Sequence, residues 1–580
     1  MNKNCCGNRP KPVFAFHIIS LCVWLSFLTD SQAVFVPYLA VGLVAAFGLC
    51  KGREIVSAKR EAIVMAVMAL VLSFAVSLSN YNSFALGILP EAVKKVLFFT
   101  AGCSVFYNML TLAHHIFENI SLLDAQETDR KRGWRYFAVP FGIFAAVYLV
   151  YFFFAAYPGT VTKDSVWQIE QALSGEYSNH HPFYHTLLIR CFYTVGAAIF
   201  GNANAGVATY CVFQIFAMAA IFAFAVYTLY EIRVRRKIIA AVVCIFAFLP
   251  YHVMFASTVW KDVIFGGACL LLVTSLYRLR NSVGSRALNV VLFSLSCLLV
   301  CLMRSNGLFS FAILAVVLAI VYRKKQRLIP VIAISAILAA ALLTGPVLKI
   351  IGVTPGDTVE SLSIPLQQIA RAVYDGKTLS GEQAAYVDSI LGGADVISET
   401  YLDYLSDPIK ELAREQGANA VIDADKMKFV KMWLSIGLDH PESYLYGWVD
   451  QTKGYWGGRW DYWVTTSGVY QNSFGVYSLE RSNIVSETAS FVSNLIAYGG
   501  KVLPMLAATA FYTWLYLILA VFHLMKKRKG FLELILGIAI ILSLMVATPV
   551  FSEFRYAYGI YTMMPVVFIF ALLKERQETE

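Results

Sequence analysis

"YFAVPFGIFAAVYLVYFFFAAYPGTVTKDSVWQIEQALSGEYSNHHPFYHTLL" spans residues 136–188 and changes character at its middle. From Tyr136 to Ala156 there is no charged residue. At about 1.5 Å per residue such a run reaches across the roughly 30 Å hydrocarbon core of a bilayer. A proline and a glycine then break the pattern, and Asp164, Glu170, His180, His181 and His185 crowd into the next stretch. A membrane helix that opens at once into a loop of reactive side chains is the expectation for this region. The rest of the chain is read outward from it.

Apolar runs recur at 12–28, 33–50, 60–79, 84–112, 136–157, 205–230, 238–256, 263–279, 287–303, 308–322, 329–349, 502–524, 531–549 and 557–574. They make about fourteen spans by the length a bilayer-crossing helix needs. The chain has 580 residues, of which 58% are hydrophobic and 14% charged; a soluble domain carries about 25% charged residues. The expected fold class is an all-α polytopic membrane protein. The first run reads as a span rather than a signal peptide, because no small-residue cleavage site follows it and a second run comes almost immediately.

Lys/Arg-rich loops mark the cytoplasmic side. The clusters lie at 51–60, 129–135, 233–237, 278–286, 323–327 and 526–530. The spans place all of them on one side only if "HTLLIRCFYTVGAAIFGNA" (185–203) does not cross, so it is expected to be interfacial or re-entrant. Both termini of this multi-pass chain then lie in the cytoplasm, and loops 158–204 and 351–500 lie outside. The chain divides into a four-helix N-terminal membrane block (1–116), a cytoplasmic loop (117–135) and a membrane core (136–350). A mainly helical extracytoplasmic loop domain (351–500) and a three-helix C-terminal block (501–580) follow.

Loop 351–500 holds 19 acidic and 10 basic residues, while the whole chain is +10. The basic excess is therefore a topology signal and not a nucleic-acid footprint. All eleven cysteines lie at or before Cys301. The large loop thus has no disulfide, and no cysteine spacing is that of a metal site.

Four expected outer loops carry charge. In the first, "SVWQ" sets Ser165 and Gln168 at capping-box spacing, Val166, Ile169 and Leu173 follow a helical period, and Gly175 ends it. Asp164 is then either a simple helix cap or a reactive group. His180 and His181 form an exposed turn or bind a phosphate or hydroxyl. Lys261 and Asp262, in "STVWKDVIF" (257–265), are a self-paired anchor or line a cavity. Arg304, in "CLMRSNGLF" (301–309), stands against the positive-inside trend, which calls for an anionic partner. Glu553 and Arg555, in "FSEFRYAYGIYTMMP" (551–565), are not face-matched on a helix, so each expects another partner. Charge from four loops on one face favours a shared polar site for an anionic lipid headgroup.

In the large loop, a helix is expected after Pro365, carrying Gln368 and Arg371 over that cavity. Residues 425–463 read as two helices broken at His440-Pro441. Their aromatics, Tyr444 to Trp463, form an interfacial belt or a stacking surface for sugar rings.

The order of these motifs resembles the GT-C superfamily of integral-membrane glycosyltransferases, including protein mannosyltransferases and lipid A aminoarabinose transferases. Members carry an acidic residue in the first outer loop and a His-Pro-Pro-like segment after it; here "HPF" (181–183) lacks the second proline. Arg555, Tyr556 and Pro565 echo a later motif of the superfamily. The set "PGTVTKDS", "NHHP", "WKD", "RSNG" and "SIPLQQIAR" is closer to a group of uncharacterised polytopic proteins of Gram-positive bacteria. The resemblance covers about 136–574 and implies a GT-C-like core. It also implies a polyprenyl-phosphate sugar donor, Asp164 as catalytic base, and a glycan, lipid or protein acceptor. Asp262 would orient the acceptor or take a divalent cation, with no metal site assigned. Lys261, Arg304, Arg555, His180, His181, Gln368 and Arg371 would bind the lipid phosphate or substrate. A flippase of lipid-linked saccharides and an outer-face glycan polymerase or ligase are the alternatives.

Overall fold

The computed structural model describes residues 59–81, 90–123, 133–324, 326–457, 467–479, 508–526 and 528–573. The expected spans 12–28 and 33–50, and Trp460, Tyr462 and Trp463, lie outside these residues. The described secondary structure is helical, with isolated bridges and no strand among the described residues.

Among the described residues nine helices are long and apolar enough to cross a membrane: Lys59–Ser79, Glu91–Asn119, Arg135–Ala156, Phe183–Phe200, Ala203–Glu231, Lys261–Arg280, Arg286–Met303, Leu328–Ile351 and Phe554–Leu572. A tenth is the pair Arg236–Phe248 and Pro250–Ala256, bent by 52°. The bend falls where Pro250 removes a backbone donor and forces Leu249 out of the helical region, to φ −66° and ψ 119°. Ser305–Val321, Thr509–Met525 and Leu532–Ala547 are shorter apolar helices. They fall on the expected runs 308–322, 502–524 and 531–549, of which 502–507 lies outside the described residues. The segment expected to be interfacial or re-entrant forms one unbroken helix, Phe183–Phe200, of 18 residues, which by length and composition is also able to cross. Large apolar side chains point outward along these helices, including Phe309, Ile320, Leu338 and Val546. A surface of that kind fits hydrocarbon rather than water, and the chain is a membrane protein.

Two compact units are formed. One comprises Met1–Ser121, Thr452–Asp461 and Leu495–Lys529; the other comprises Leu122–Gln451, Tyr462–Asn494 and Gly530–Glu580. In the first unit, Lys59–Ser79 packs along Glu91–Asn119. Lys526 closes on Glu61 at 2.6 Å.

In the second unit the helix Lys261–Arg280 is buried nearly all round. It packs against Ala203–Glu231, Arg286–Met303 and Tyr558–Leu572. Arg286–Met303 follows it after a short turn and runs antiparallel, with Asn289 on Arg278. Ala203–Glu231 and Tyr558–Leu572 run parallel to it, with Glu231 and Phe570 beside Arg278 and Tyr277, and the unit has two chemically distinct ends. One end holds the buried ion pairs Arg278–Glu231, at 2.5 Å, and Arg280–Glu533, at 3.2 Å. The other gathers the start of Lys261–Arg280, the end of Arg286–Met303, the end of Leu532–Ala547 and the turn Phe554–Ala557.

At that second end the chain breaks sharply at Arg304, which closes one helix and opens the next. Gly307 makes this possible: a Cβ there would lie 2.0 Å from the Val300 carbonyl oxygen and 3.0 Å from the Phe265 ring. Residues 359–452 build a helical domain around Val359, Leu366, Ile369, Ile390, Ile397 and Ile436. It is tied to the loop after Leu532–Ala547: the Ser406 N–H donates to the Pro549 carbonyl at 2.8 Å, and the Phe551 N–H to that of Tyr404 at 2.9 Å. Within it, helices Lys426–Asp439 and Pro441–Thr452 meet at His440 as expected. The helix expected after Pro365 starts earlier, at Ser363, with Pro365 in its first turn, where a missing N–H costs nothing.

Because no rotamer relieves a Cβ clash with backbone, Gly307→Val is expected to destabilise the protein by about 2–3 kcal/mol. A fall in melting temperature in detergent checks this; an unchanged melting temperature would mean that the break at Arg304 is not tightly packed.

Candidate functional site

The loop after Arg135–Ala156 is held from below. The Thr160 N–H donates to the Ser257 carbonyl at 2.9 Å, and the Val259 N–H to that of Thr160 at 3.0 Å. Gly159 fits this approach with φ +139°, where a Cβ would strike the Cys211 sulfur at 2.4 Å. The helix Lys163–Ser174 then begins, and its N-cap is Thr162. The Thr162 N–H donates to Ser165 Oγ at 3.2 Å, so Ser165 is the third helical residue of the capping box and not its N-cap. Gly175 ends the helix in the left-handed conformation, as read from the sequence.

With Ser165 in that place, Gln168 is released for another task. Its amide contacts Thr186 Oγ1 at 3.1 Å and His185 Nδ1 at 3.1 Å, and His185 Nε2 meets the Tyr210 hydroxyl at 2.8 Å. Tyr210 donates to Gln214 at 2.9 Å. This buried network locks the amphipathic helix to Phe183–Phe200 and Ala203–Glu231.

Asp164 sits in the first turn of the Lys163–Ser174 helix, but it does not cap it. Its Oδ2 accepts from Arg555 Nη1 at 2.6 Å. Arg555 Nε also lies 3.4 Å from Glu553 Oε1. Arg555 thus has another partner, Asp164, as expected, and lies within ion-pair distance of Glu553 as well. Glu553 is extended and precedes the 3-10 turn Phe554–Ala557, so residues two apart reach each other. The Arg555 guanidinium stands 5.2 Å from the Trp260 ring centre and 5.1 Å from that of Tyr556. On the same Tyr556 ring, at 4.7 Å, stands the Arg304 guanidinium. Arg304 pairs through Nη1 with Asp262 Oδ1, and its Nε donates to Asn306 at 3.1 Å. Asn306 in turn donates to Ser543 Oγ at 3.0 Å.

Lys261 turns away from Asp262 and donates to His181 Nδ1 at 2.9 Å. Lys261 and Asp262 are therefore not a self-paired anchor; each reaches a different element. An ammonium only donates, so His181 Nδ1 accepts, and the proton of the neutral ring is on Nε2. That Nε2 is buried and meets no protein acceptor. Asp262 Oδ2 is likewise buried and without a donor. His180 packs edge-on against His181 and Trp167, and is more exposed than its neighbour.

Electrostatics follow from this crowding. Burial alone would raise the Asp164 carboxyl, but the Arg555 guanidinium and the Lys261 ammonium override it and hold its pKa below the usual carboxylate range. Burial, and then Lys261, lower the His181 pKa, so the ring is neutral. For Glu553 burial prevails over Arg555 and raises the carboxyl. The site thus presents carboxylates, an unused imidazole N–H and three cations, of which Arg304 and Arg555 pair with aspartates of other elements and Lys261 with a neutral imidazole.

Of the residues singled out in the sequence, Asp164, His180, His181, Lys261, Asp262, Arg304 and Arg555 come together. Gln368 and Arg371 do not join them. Gln368 bonds to the Tyr444 carbonyl at 3.1 Å and accepts from Trp433 at 3.0 Å. Arg371 pairs with Asp375 and Asp450, each at 2.8 Å. Both brace the 359–452 domain. Trp260, Tyr556, His185, Tyr210 and Gln168 belong to the site region but were not singled out for it. Trp260 and Tyr556 each adjoin a charged residue in the sequence, and the others are polar residues in or beside apolar segments; those were the available signals. Among the described residues no group of three or more His, Cys, Asp or Glu is placed to hold a metal ion. One Asp262 oxygen is already engaged by Arg304.

Asp262 and Arg304 are 1% and 10% exposed at their side chains. Removing one partner strands a buried charge, whereas removing both does not. Asp262→Ala is expected to cost about 3 kcal/mol, and the double variant Asp262→Leu/Arg304→Met distinctly less than that. Unfolding midpoints of the single and double variants check it; equal losses would show that the pair carries no coupling.

Residues 171–580 match the model of a family described as "Family of unknown function (DUF6020)". No curated protein matches the chain, and no solved structure does.

Proposed function

The chain belongs to DUF6020, a family of unknown function, and from that premise we propose an integral-membrane glycosyltransferase. In this reading it has a GT-C-like core, takes a sugar from a polyprenyl phosphate at the outer face of a bacterial plasma membrane, and uses Asp164 as its base. The observation that carries the reading is the pairing of Asp164 with Arg555 beside Lys261, His181 and Arg304. Sugar transfer from a lipid phosphate needs two things in one place: a carboxylate facing the acceptor hydroxyl, and positive charge on the departing phosphate. This cluster contains both, at the end of the bundle opposite the Arg278–Glu231 and Arg280–Glu533 pairs.

The geometry also suggests how the two roles are linked. With Arg555 on Asp164, the carboxylate is a weak base. A donor phosphate competes for the guanidinium, which prefers a bidentate anion. As Arg555 turns to the phosphate, Asp164 loses its counter-ion and gains basicity. The acceptor hydroxyl gives its proton to Asp164 as its oxygen bonds to the anomeric carbon. The bond from that carbon to the phosphate oxygen breaks, and the lipid phosphate leaves with the electron pair, held by Arg555, Arg304 and the His181 Nε2–H. Asp262 holds Arg304 in place, and its second oxygen accepts from the acceptor. The charges of the central helix Lys261–Arg280 lie in its first and last turns, which favours surface chemistry over carriage of a saccharide through the bundle. A divalent cation is not part of the proposal.

Transfer of radiolabelled sugar from polyprenyl-phosphate donors in membranes is the primary test. Asp164→Asn is expected to abolish transfer while the protein still inserts; wild-type rates in that variant would remove Asp164 as the base. Arg555→Ala is expected to weaken donor binding by about tenfold or more, in line with loss of a charge-assisted contact, and to affect acceptor KM much less. Unchanged donor affinity would overturn the assignment.

The pH profile offers a further check. A carboxyl whose pKa is depressed stays ionised until the pH falls through that lowered value. The acid limb of kcat/KM, which reports the free enzyme, is therefore expected below the ordinary carboxylate range, and that of kcat above it. Coincident limbs would show that donor binding does not displace Arg555.

A further inference from the structure

The helix Lys426–Asp439 is apolar on two faces. Phe429 and Ile436, with Met432 and Trp433, pack into the core of the 359–452 domain. Met427, Val430, Leu434 and Leu438 are spaced by three, four and four, so they line a second face. That face is bare: the four side chains are 62, 40, 49 and 81% exposed. Leu445, on the helix Pro441–Thr452, extends it at 44%. Between the two helices runs a groove of about 370 Å³, lined mainly by Trp433, Leu434, Leu438, Tyr444, Leu445 and Trp448.

The position of this groove says what covers it. The Trp448 indole N–H donates to the Met545 carbonyl at 2.9 Å, at the end of the apolar helix Leu532–Ala547. The outward side chains there, Leu542 and Val546, are 47 and 71% exposed. The groove therefore adjoins the surface that the membrane helices turn to hydrocarbon. An indole with a bonded N–H at a helix end is at home at the membrane interface. A helix with one face in a protein core and an opposite apolar stripe is satisfied there too, by lipid.

We infer that the hairpin 426–452 lies in the leaflet at this end of the bundle, and that its groove takes the hydrocarbon chain of a membrane phospholipid. This goes beyond the proposed sugar transfer and stands without it. Ser543, which holds Asn306 beside Arg304, is two residues from Met545. A lipid seated in the groove is thus a neighbour of the charged cluster.

The full chain in nanodiscs of phosphatidylglycerol and phosphatidylcholine, doped with a phospholipid bearing a diazirine in its acyl chain, provides the test. After photolysis, lipid-modified peptides are mapped by mass spectrometry. Label on residues 434–448, together with label on 542–546, is expected. Leu438→Asp is expected to lose the label at 434–448 and keep it at 542–546. Label on 542–546 with none on the hairpin would overturn the inference. So would hairpin cross-links only to a second copy or to another segment of the chain, which would make protein the occupant. Since Leu438 is 81% exposed, the substitution removes little packing. Should the variant lose both labels, the wild-type map alone decides.

Discussion

A charge held at the end of a buried membrane helix must have a partner, and Asp262, Arg304, Arg555 and Lys261 each find one on another element. That constraint organises the charged end of the larger unit. Asp262 opens the central helix and is answered by Arg304, at the break between two others. Arg555 precedes the last helix and is answered by Asp164, from the loop between Ala156 and Phe183. Lys261 is met by His181, from the same loop. Each pair joins elements far apart in sequence, so satisfying buried charge and assembling the site are one event. Uncompensated, any of these groups costs several kcal/mol; compensated, they hold four segments in register.

The aromatic residues set the spacing within this arrangement. Tyr556 lies between the Arg304 and Arg555 guanidiniums, and Trp260 faces Arg555 from the other element. Two like charges near one ring are tolerable because each has its own carboxylate and the ring face is electron-rich. The two guanidiniums are balanced by Asp164 and Asp262, and Lys261 adds a further positive charge beside them. In the proposed reaction the donor phosphate displaces Asp164 from Arg555, so a contact that stabilises the folded chain also answers the ligand.

The domain 359–452 has another logic. Its polar residues are used internally, as with Gln368 to Tyr444 and Trp433, or Arg371 to Asp375 and Asp450. What it leaves outward is an apolar stripe on one hairpin. A water-soluble domain buries such a stripe; one tethered to the loop after a membrane helix can place it against lipid.

The membrane class, most helix positions, the end of the Lys163–Ser174 helix at Gly175 and the break at His440-Pro441 were legible in the residues themselves. They rest on run length, period and the special backbone chemistry of glycine and proline, all local properties. The gathering of Asp164, Lys261, Asp262, Arg304 and Arg555 was legible only as charge recurring at span ends. Who pairs with whom was not. Lys261 and Asp262 are adjacent yet reach different elements, and Glu553 meets Arg555 because an extended residue precedes a 3-10 turn. Ser165 and Gln168 have capping-box spacing, but the box is formed by Thr162 and Ser165, and Gln168 goes to His185. Gln368 and Arg371 have the right chemistry for a phosphate, and the fold employs them in a domain core. Sequence spacing determined which groups this chain possesses and roughly at what depth. Only tertiary structure decided their partners, because ion pairs and hydrogen bonds depend on distances of about 3 Å between elements whose separation along the chain carries no such information.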